Sequence, residues 1–334
     1  MAFLGAAALE DLRDSSRNGI VLEYTGRRKS RSNLETHARR YNCGVRRLII
    51  NADDFGLTEG VNRAIVEAHS EGVVTSTTLM ANGPAFDNAV RLAAISPKLS
   101  VGCHLVLIDG SPVLERSQVS TLVAPHSTNG AYFRDRLSSF AANALLGRLD
   151  TEQIEAEATA QIRKLQTAGI AVCHFDTHKH THMFPAVLRP LLRAAKACGI
   201  STVRNPFTPW LPMFAPARVW KRCLEITALH KLARTFRRII LEHDMLTPDG
   251  TFGIVATGEL NLELFQRIVE RIPEGTWEFV CHPGYHDSDL DNIRTRLRKS
   301  RVEELKILTS AAARQALAGR AIGLISYRDF ASSP

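Results

Sequence analysis

The chain has 334 residues, 45% of them hydrophobic and 23% charged, with 42 Lys and Arg against 34 Asp and Glu for a formal charge of +8. This is the balance of a globular protein, and it excludes disordered, fibrous and membrane-spanning classes; the apolar stretches Leu48 to Ile50 and Ile322 to Ile325 fall far short of the roughly 20 residues a membrane helix needs. The length accommodates one large α/β domain or two smaller ones, and the basic excess raises nucleic acid or an anionic membrane surface as partners.

Residues 1–45 show no sustained period and are rich in Arg, Ser and Asn, which reads as a poorly ordered basic extension. Its apolar patch Phe3 to Leu9 lacks a basic leading region and runs into Glu10 and Asp11, unlike a secretory signal, so the expected location is cytoplasmic. The run Arg27, Arg28, Lys29, Arg31 and a second cluster from Arg218 to Arg238 read as solvated faces. Neither has the interleaved aromatics of a base-stacking surface, so no nucleic-acid partner is expected. Six scattered cysteines without a Cys-x-x-Cys pair suggest neither a zinc knot nor a disulfide framework.

From Arg46 onward apolar, β-branched runs recur at Leu48 to Ala52, Thr75 to Met80, Leu99 to Leu107, Ala171 to Phe175, Ser201 to Arg204, Trp277 to Cys281 and Ala321 to Tyr327, predicting about seven strands. Helical patterns lie between most of them: Thr58 to Ser70, Ala85 to Ala94, Thr151 to Thr167 behind the cap Asp150, Ala186 to Cys198, Leu260 to Arg271 and Val302 to Ala318. Such alternation argues for parallel strands with helical crossovers. We read an α/β fold of the (β/α) barrel type, TIM-like and distorted or seven-stranded, over residues 46–330, in preference to an open doubly wound sheet. The Pro-, Trp- and Arg-rich stretch 206–258 reads as an insertion.

Four polar clusters sit just past apolar runs, where such barrels gather reactive residues. Asp53 and Asp54 follow a buried strand; two adjacent carboxylates repel, and either a cation takes one and leaves the other as a base, or Asp54 merely bonds backbone amides near Gly56. His104 is a lone imidazole in an apolar strand, a core histidine or a metal ligand. His174, His178, His180 and His182 place four imidazoles in nine residues, which no core needs; extended chain aligns the last three, whereas a helix pairs His178 with His182. His282 ends a strand before Pro283 and Gly284. Arg204 and the Tyr327-Arg328-Asp329 segment shape a pocket or close the barrel.

Taken together, Asn51 to Gly56, Val74 to Thr78, Gly102 to Leu107, Asp176 to Met183 and Cys281 to Gly284 resemble the YdjC family of carbohydrate deacetylases, which includes chitooligosaccharide and hopanoid-biosynthesis deacetylases. The resemblance implies a barrel related to polysaccharide deacetylases and a divalent metal, usually Mg2+ with Zn2+ as the alternative. It also implies hydrolysis of an N-acetyl group on a sugar or an N-acetylglucosaminyl lipid. On matching positions Asp54, His104 and His178 would be the metal ligands, Asp53 the general base and His282 the general acid. His180, His182, Arg204, Tyr285 and Arg328 are expected to contact substrate. Peripheral contact with anionic lipid and a homodimer are both compatible with this reading. The alternatives are another barrel metallohydrolase acting on a cyclic amide or ester, and a non-catalytic sugar- or metal-binding protein.

Overall fold

The computed structural model describes residues 44–125, 131–208 and 232–332. The expected extension is outside the described residues as far as residue 43, as is the segment 209–231 with most of the second basic cluster.

In chain order, β1 (Arg46–Phe55) leads into α1 (Glu59–Ser70), whose first turn is fixed by Thr58 Oγ1 accepting from the Val61 amide at 3.1 Å. There follow β2 (Ser76–Leu79), α2 (Phe86–Ala94), β3 (Ser100–Leu105) and α3 (Leu137–Leu145). Next comes α4 (Thr151–Thr167), where Asp150 caps the amides of Glu152 and Gln153 as the sequence predicted. Then come β4 (Phe175–Thr177), a 3-10 turn (His178–Met183), α5 (Pro185–Ala197), α6 (Ala233–Glu242) and β5 (Thr251–Phe252). The chain continues through α7 (Leu262–Glu270), β6 (Gly275–Cys281), α8 (Ser288–Asn292), α9 (Lys299–Thr309), α10 (Ala311–Ala318), β7 (Ile322–Leu324) and α11 (Tyr327–Ser332).

All strand pairs are parallel, in the order β4-β3-β2-β1-β6-β5. On the side of β1 away from β6, β7 pairs with the first half, Arg46 to Leu48, and β2 with the second, from Asn51 on. Between β4 and β5 the chain 201–207 makes ladder-like bonds without forming a continuous strand. Phe175 N donates to Thr202 O at 3.1 Å, Arg204 N to Phe175 O at 3.1 Å, and Thr251 N to Phe207 O at 3.1 Å. These bonds curl the sheet into a distorted (β/α) barrel, with all carboxyl ends of its strands at one rim.

Several boundaries differ from expectation. The fourth strand begins at Phe175 rather than Ala171, and Tyr327 opens a helix instead of ending the last strand. The helix read over Val302 to Ala318 is two helices, because Ser310 leaves helical geometry and caps the second by accepting from Ala313 N at 3.1 Å. Within the stretch read as an insertion, Thr251 and Phe252 form β5, an integral strand too short to show a period. The apolar core packs between sheet and helices, whereas the barrel interior is polar: Asn51, Asp53, Thr78, His104, Asp176, Arg204 and Glu278 are each at most 2% exposed.

Candidate active site

The site begins with an irregularity in β1. Opposite β2, Ala52 pairs with Thr77 but Phe55 with Leu79, so β1 carries one extra residue. Asp54 absorbs it with φ of 68°, a left-handed conformation that aspartate tolerates better than most residues. In a regular strand adjacent side chains point to opposite faces. The bulge instead lets both carboxylates serve one site.

Asp54 Oδ1 lies 3.5 Å from His104 Nε2 and 3.5 Å from His178 Nδ1, and the two imidazole nitrogens are 3.3 Å apart. A triangle with those sides has a circumscribed radius of about 2.0 Å, which matches the roughly 2.0–2.2 Å bonds of divalent metals to imidazole and carboxylate. His104 Nδ1 bonds Asp176 Oδ1 at 2.7 Å, which directs Nε2 into the triangle, as outer carboxylates do for metal-binding histidines. The other Asp54 oxygen accepts from Arg301 Nη2 at 2.5 Å. Burial raises the Asp54 pKa, but Arg301 and His178 more than offset this and hold the carboxyl well below its ordinary range. Formal charge also fits a cation: among the described residues, Asp53, Asp54, Asp176 and Glu278 are buried with Arg204 and Arg301 as their buried guanidinium partners. Burial alone would lower His104, yet Asp176, Asp53 and Asp54 push it up to about 9.

Asp53 faces a second set of groups. Arg204 grips it in a fork, Nη1 to Oδ2 at 2.8 Å and Nη2 to Oδ1 at 2.7 Å, while Asn51 Nδ2 donates to Oδ1 at 2.9 Å. Burial raises Asp53, but Arg204, His104 and His282 outweigh it, so the carboxyl stays ionised. His282 Nε2 stands 4.0 Å from Asp53 Oδ2, and burial pushes this imidazole down to about 4 against the pull of both aspartates.

The bulge in β1, the end of β3, the turn after β4 and the end of β6 thus bring Asp53, Asp54, His104, His178 and His282 together. The residues expected to contact substrate divide. Arg204 is fully buried and its five N–H groups are spent on Asp53, Asp176 and Glu278, leaving none for a ligand. His182 is likewise buried, with Nδ1 on Thr177 Oγ1 at 2.7 Å, and packs the turn. Arg328 bonds the carbonyls of Pro97 and Leu99 at the amino end of β3, the end of the sheet opposite the site. His180 is half-buried beside His182, and Tyr285 sits past β6 with its hydroxyl on Glu67. Sequence reasoning missed Arg301, Glu278 and Glu304. They lie within an Arg-rich helix start and a strand otherwise apolar around Glu278, and no local signal separates them.

The fold and site define an α/β barrel with a carboxylate and two imidazoles converging at its carboxyl rim. The profile of the YdjC-like protein family matches residues 47–319, and the chain belongs to that family. It is 35% identical to a carbohydrate deacetylase of Brevibacillus brevis over 284 residues, covering 85% of this chain and 99% of the relative. It is also 35% identical to a carbohydrate deacetylase of Geobacillus stearothermophilus, covering 84% and 97%. A crystal structure from Enterococcus faecalis V583, provisionally named a cellobiose-phosphate cleavage protein, is similar at 29% identity and a TM-score of 0.69, covering 86% and 99%.

Proposed function

We propose that this protein is a metal-dependent carbohydrate N-deacetylase, cleaving the acetyl group from an N-acetylated sugar such as a chitooligosaccharide or an N-acetylglucosaminyl lipid. The observation that carries the reading is the triangle of Asp54, His104 and His178 beside a second carboxylate, Asp53, held by Arg204, with His282 across from it. The relatives named carbohydrate deacetylases support the substrate class.

Asp54, His104 and His178 would hold a divalent cation. Two imidazole nitrogens and one oxygen suit zinc better than magnesium, which prefers an oxygen shell, so donor chemistry ranks zinc above the magnesium that the family resemblance implies. When bound, such an ion supplies Lewis acidity toward the acetyl carbonyl and water. Asp53, ionised and oriented by Arg204, takes the proton of the attacking water. His282, neutral at rest because of its burial, is placed to accept that proton from Asp53 and deliver it to the leaving nitrogen. The buried, polar barrel interior keeps both groups in fixed orientation.

Among the described residues no helix is long and apolar enough to cross a membrane. With the cysteines of the described residues, 103, 173, 198 and 281, all free, a reducing cytoplasmic location is our reading.

The test strips the purified protein of metal, reloads it with zinc or magnesium, and measures acetate released from chitooligosaccharides and from an N-acetylglucosaminyl lipid. Asp53→Asn serves as control. Metal-dependent release that the variant lacks, while it keeps its metal, is expected; no release from any N-acetyl sugar overturns the reading.

A further inference from the structure

The first turns of α9 carry two buried charged residues three positions apart, Arg301 at 1% and Glu304 at 2% exposure. Residues so spaced share one helix face. Arg301 reaches Asp54, as described, and Glu304 reaches the other half of the site: its Oε2 accepts from the His282 backbone N–H at 2.6 Å. Two buried atoms of this contact have no hydrogen-bond partner, Glu304 Oε1 and His282 Nδ1. A buried polar group left unmade costs about 1–3 kcal/mol. Here a donor and an acceptor are orphaned on two residues that already touch. A carboxylate-to-imidazole bond formed by side-chain rotation would satisfy both.

We propose that Glu304 is the positioning residue of His282, its carboxylate receiving the imidazole Nδ1–H and thereby fixing the tautomer and ring orientation; this rests on the deacetylase reading above. With the proton on Nδ1, His282 Nε2 presents its lone pair toward Asp53 Oδ2, 4.0 Å away. The water oxygen bonds the acetyl carbon while its proton passes to Asp53. That proton moves to His282 Nε2, and the positively charged imidazole is stabilised by Glu304. When the carbon–nitrogen bond breaks, the departing electron pair on nitrogen takes the proton from Nε2. Asp53 and His282 return to their starting states, with one acetic acid and one amine formed from one amide and one water.

Glu304→Gln separates this from a purely structural role, because glutamine keeps the shape and an oxygen for the His282 amide but loses the carboxylate. The expected result is a kcat lower by about 10- to 100-fold, as for other outer carboxylate partners, with KM and metal content unchanged. The substrate-free readout is nitrogen NMR of histidine-labelled protein, with the His282 signal assigned by its loss in His282→Gln. The wild type should show the Nδ1–H form, and Glu304→Gln a shift toward Nε2–H. A wild-type His282 protonated on Nε2 overturns the proposal whether or not the variant folds, as does a Glu304→Gln variant with wild-type kcat or tautomer. If the wild type releases no acetate, the deacetylase reading fails, while the tautomer still decides the Glu304 contact.

Discussion

Replacing Arg204 by Met removes the single guanidinium that binds Asp53, Asp176 and Glu278 while keeping most of the side-chain volume. The arginine is 0% exposed, and its N···O distances to the three carboxylates run from 2.5 to 2.9 Å. At an effective dielectric of about 20, charges about 4 Å apart attract by about 4 kcal/mol, so three such pairs give an upper bound near 12 kcal/mol. Against this stands the cost of burying the guanidinium itself, several kcal/mol. Breaking a buried pair by removing one partner ordinarily costs about 3–5 kcal/mol, and we expect a loss in that range at pH 8. The pH dependence carries a sign. In the wild type Asp53 is held below its ordinary value of 3.8, so its contribution is fully present above that value and constant between pH 5 and 8. In the variant Asp53 and Glu278 keep the desolvation that raises them but lose the cation that lowers them, so they take up protons as pH falls and the deficit shrinks toward pH 5. Urea unfolding of both proteins in chelator, at pH 8 and pH 5, measures this. A deficit under about 1 kcal/mol at pH 8, or one that does not change with pH, refutes the account of the barrel interior as an arginine-centred carboxylate cluster.

His178→Ala should lose both bound metal and turnover, measured by plasma emission and acetate release, whereas Asp53→Asn should lose turnover alone; a fully loaded His178→Ala protein removes that histidine from the ligand set. Gly102→Ala drives a methyl into the ring of buried His174, which is stacked on Tyr327 at 3.6 Å; about 1–3 kcal/mol of destabilisation is expected, and an unchanged melting temperature would show that the stack yields freely.

Much of the barrel was legible in the chain itself. Strand and helix alternate because each apolar run buries one sheet position and each amphipathic run covers it. Local signals such as the Asp150 cap sufficed to place α4, since capping is decided within a few residues. Asp53, Asp54, His104, His178 and His282 stood out because they end or follow apolar runs, but most were open to a packing or turn reading when taken singly, and only the family resemblance attached roles to them. Their partnership was not legible. Strand alternation would send Asp53 and Asp54 to opposite faces; only the bulge, allowed by a left-handed Asp54, sets one on the imidazole triangle and the other on Arg204 and His282. Arg204, His182 and Arg328 looked like substrate contacts because sequence shows charge without depth, and closure of the barrel decided that two are buried and one lies at the far end of β3. Arg301 and Glu304 carried no signal at all, since a charged residue on a helix is solvated unless another element covers that face. The tertiary fold laid α9 against the ends of β1 and β6, and that placement decided which charges belong to the site.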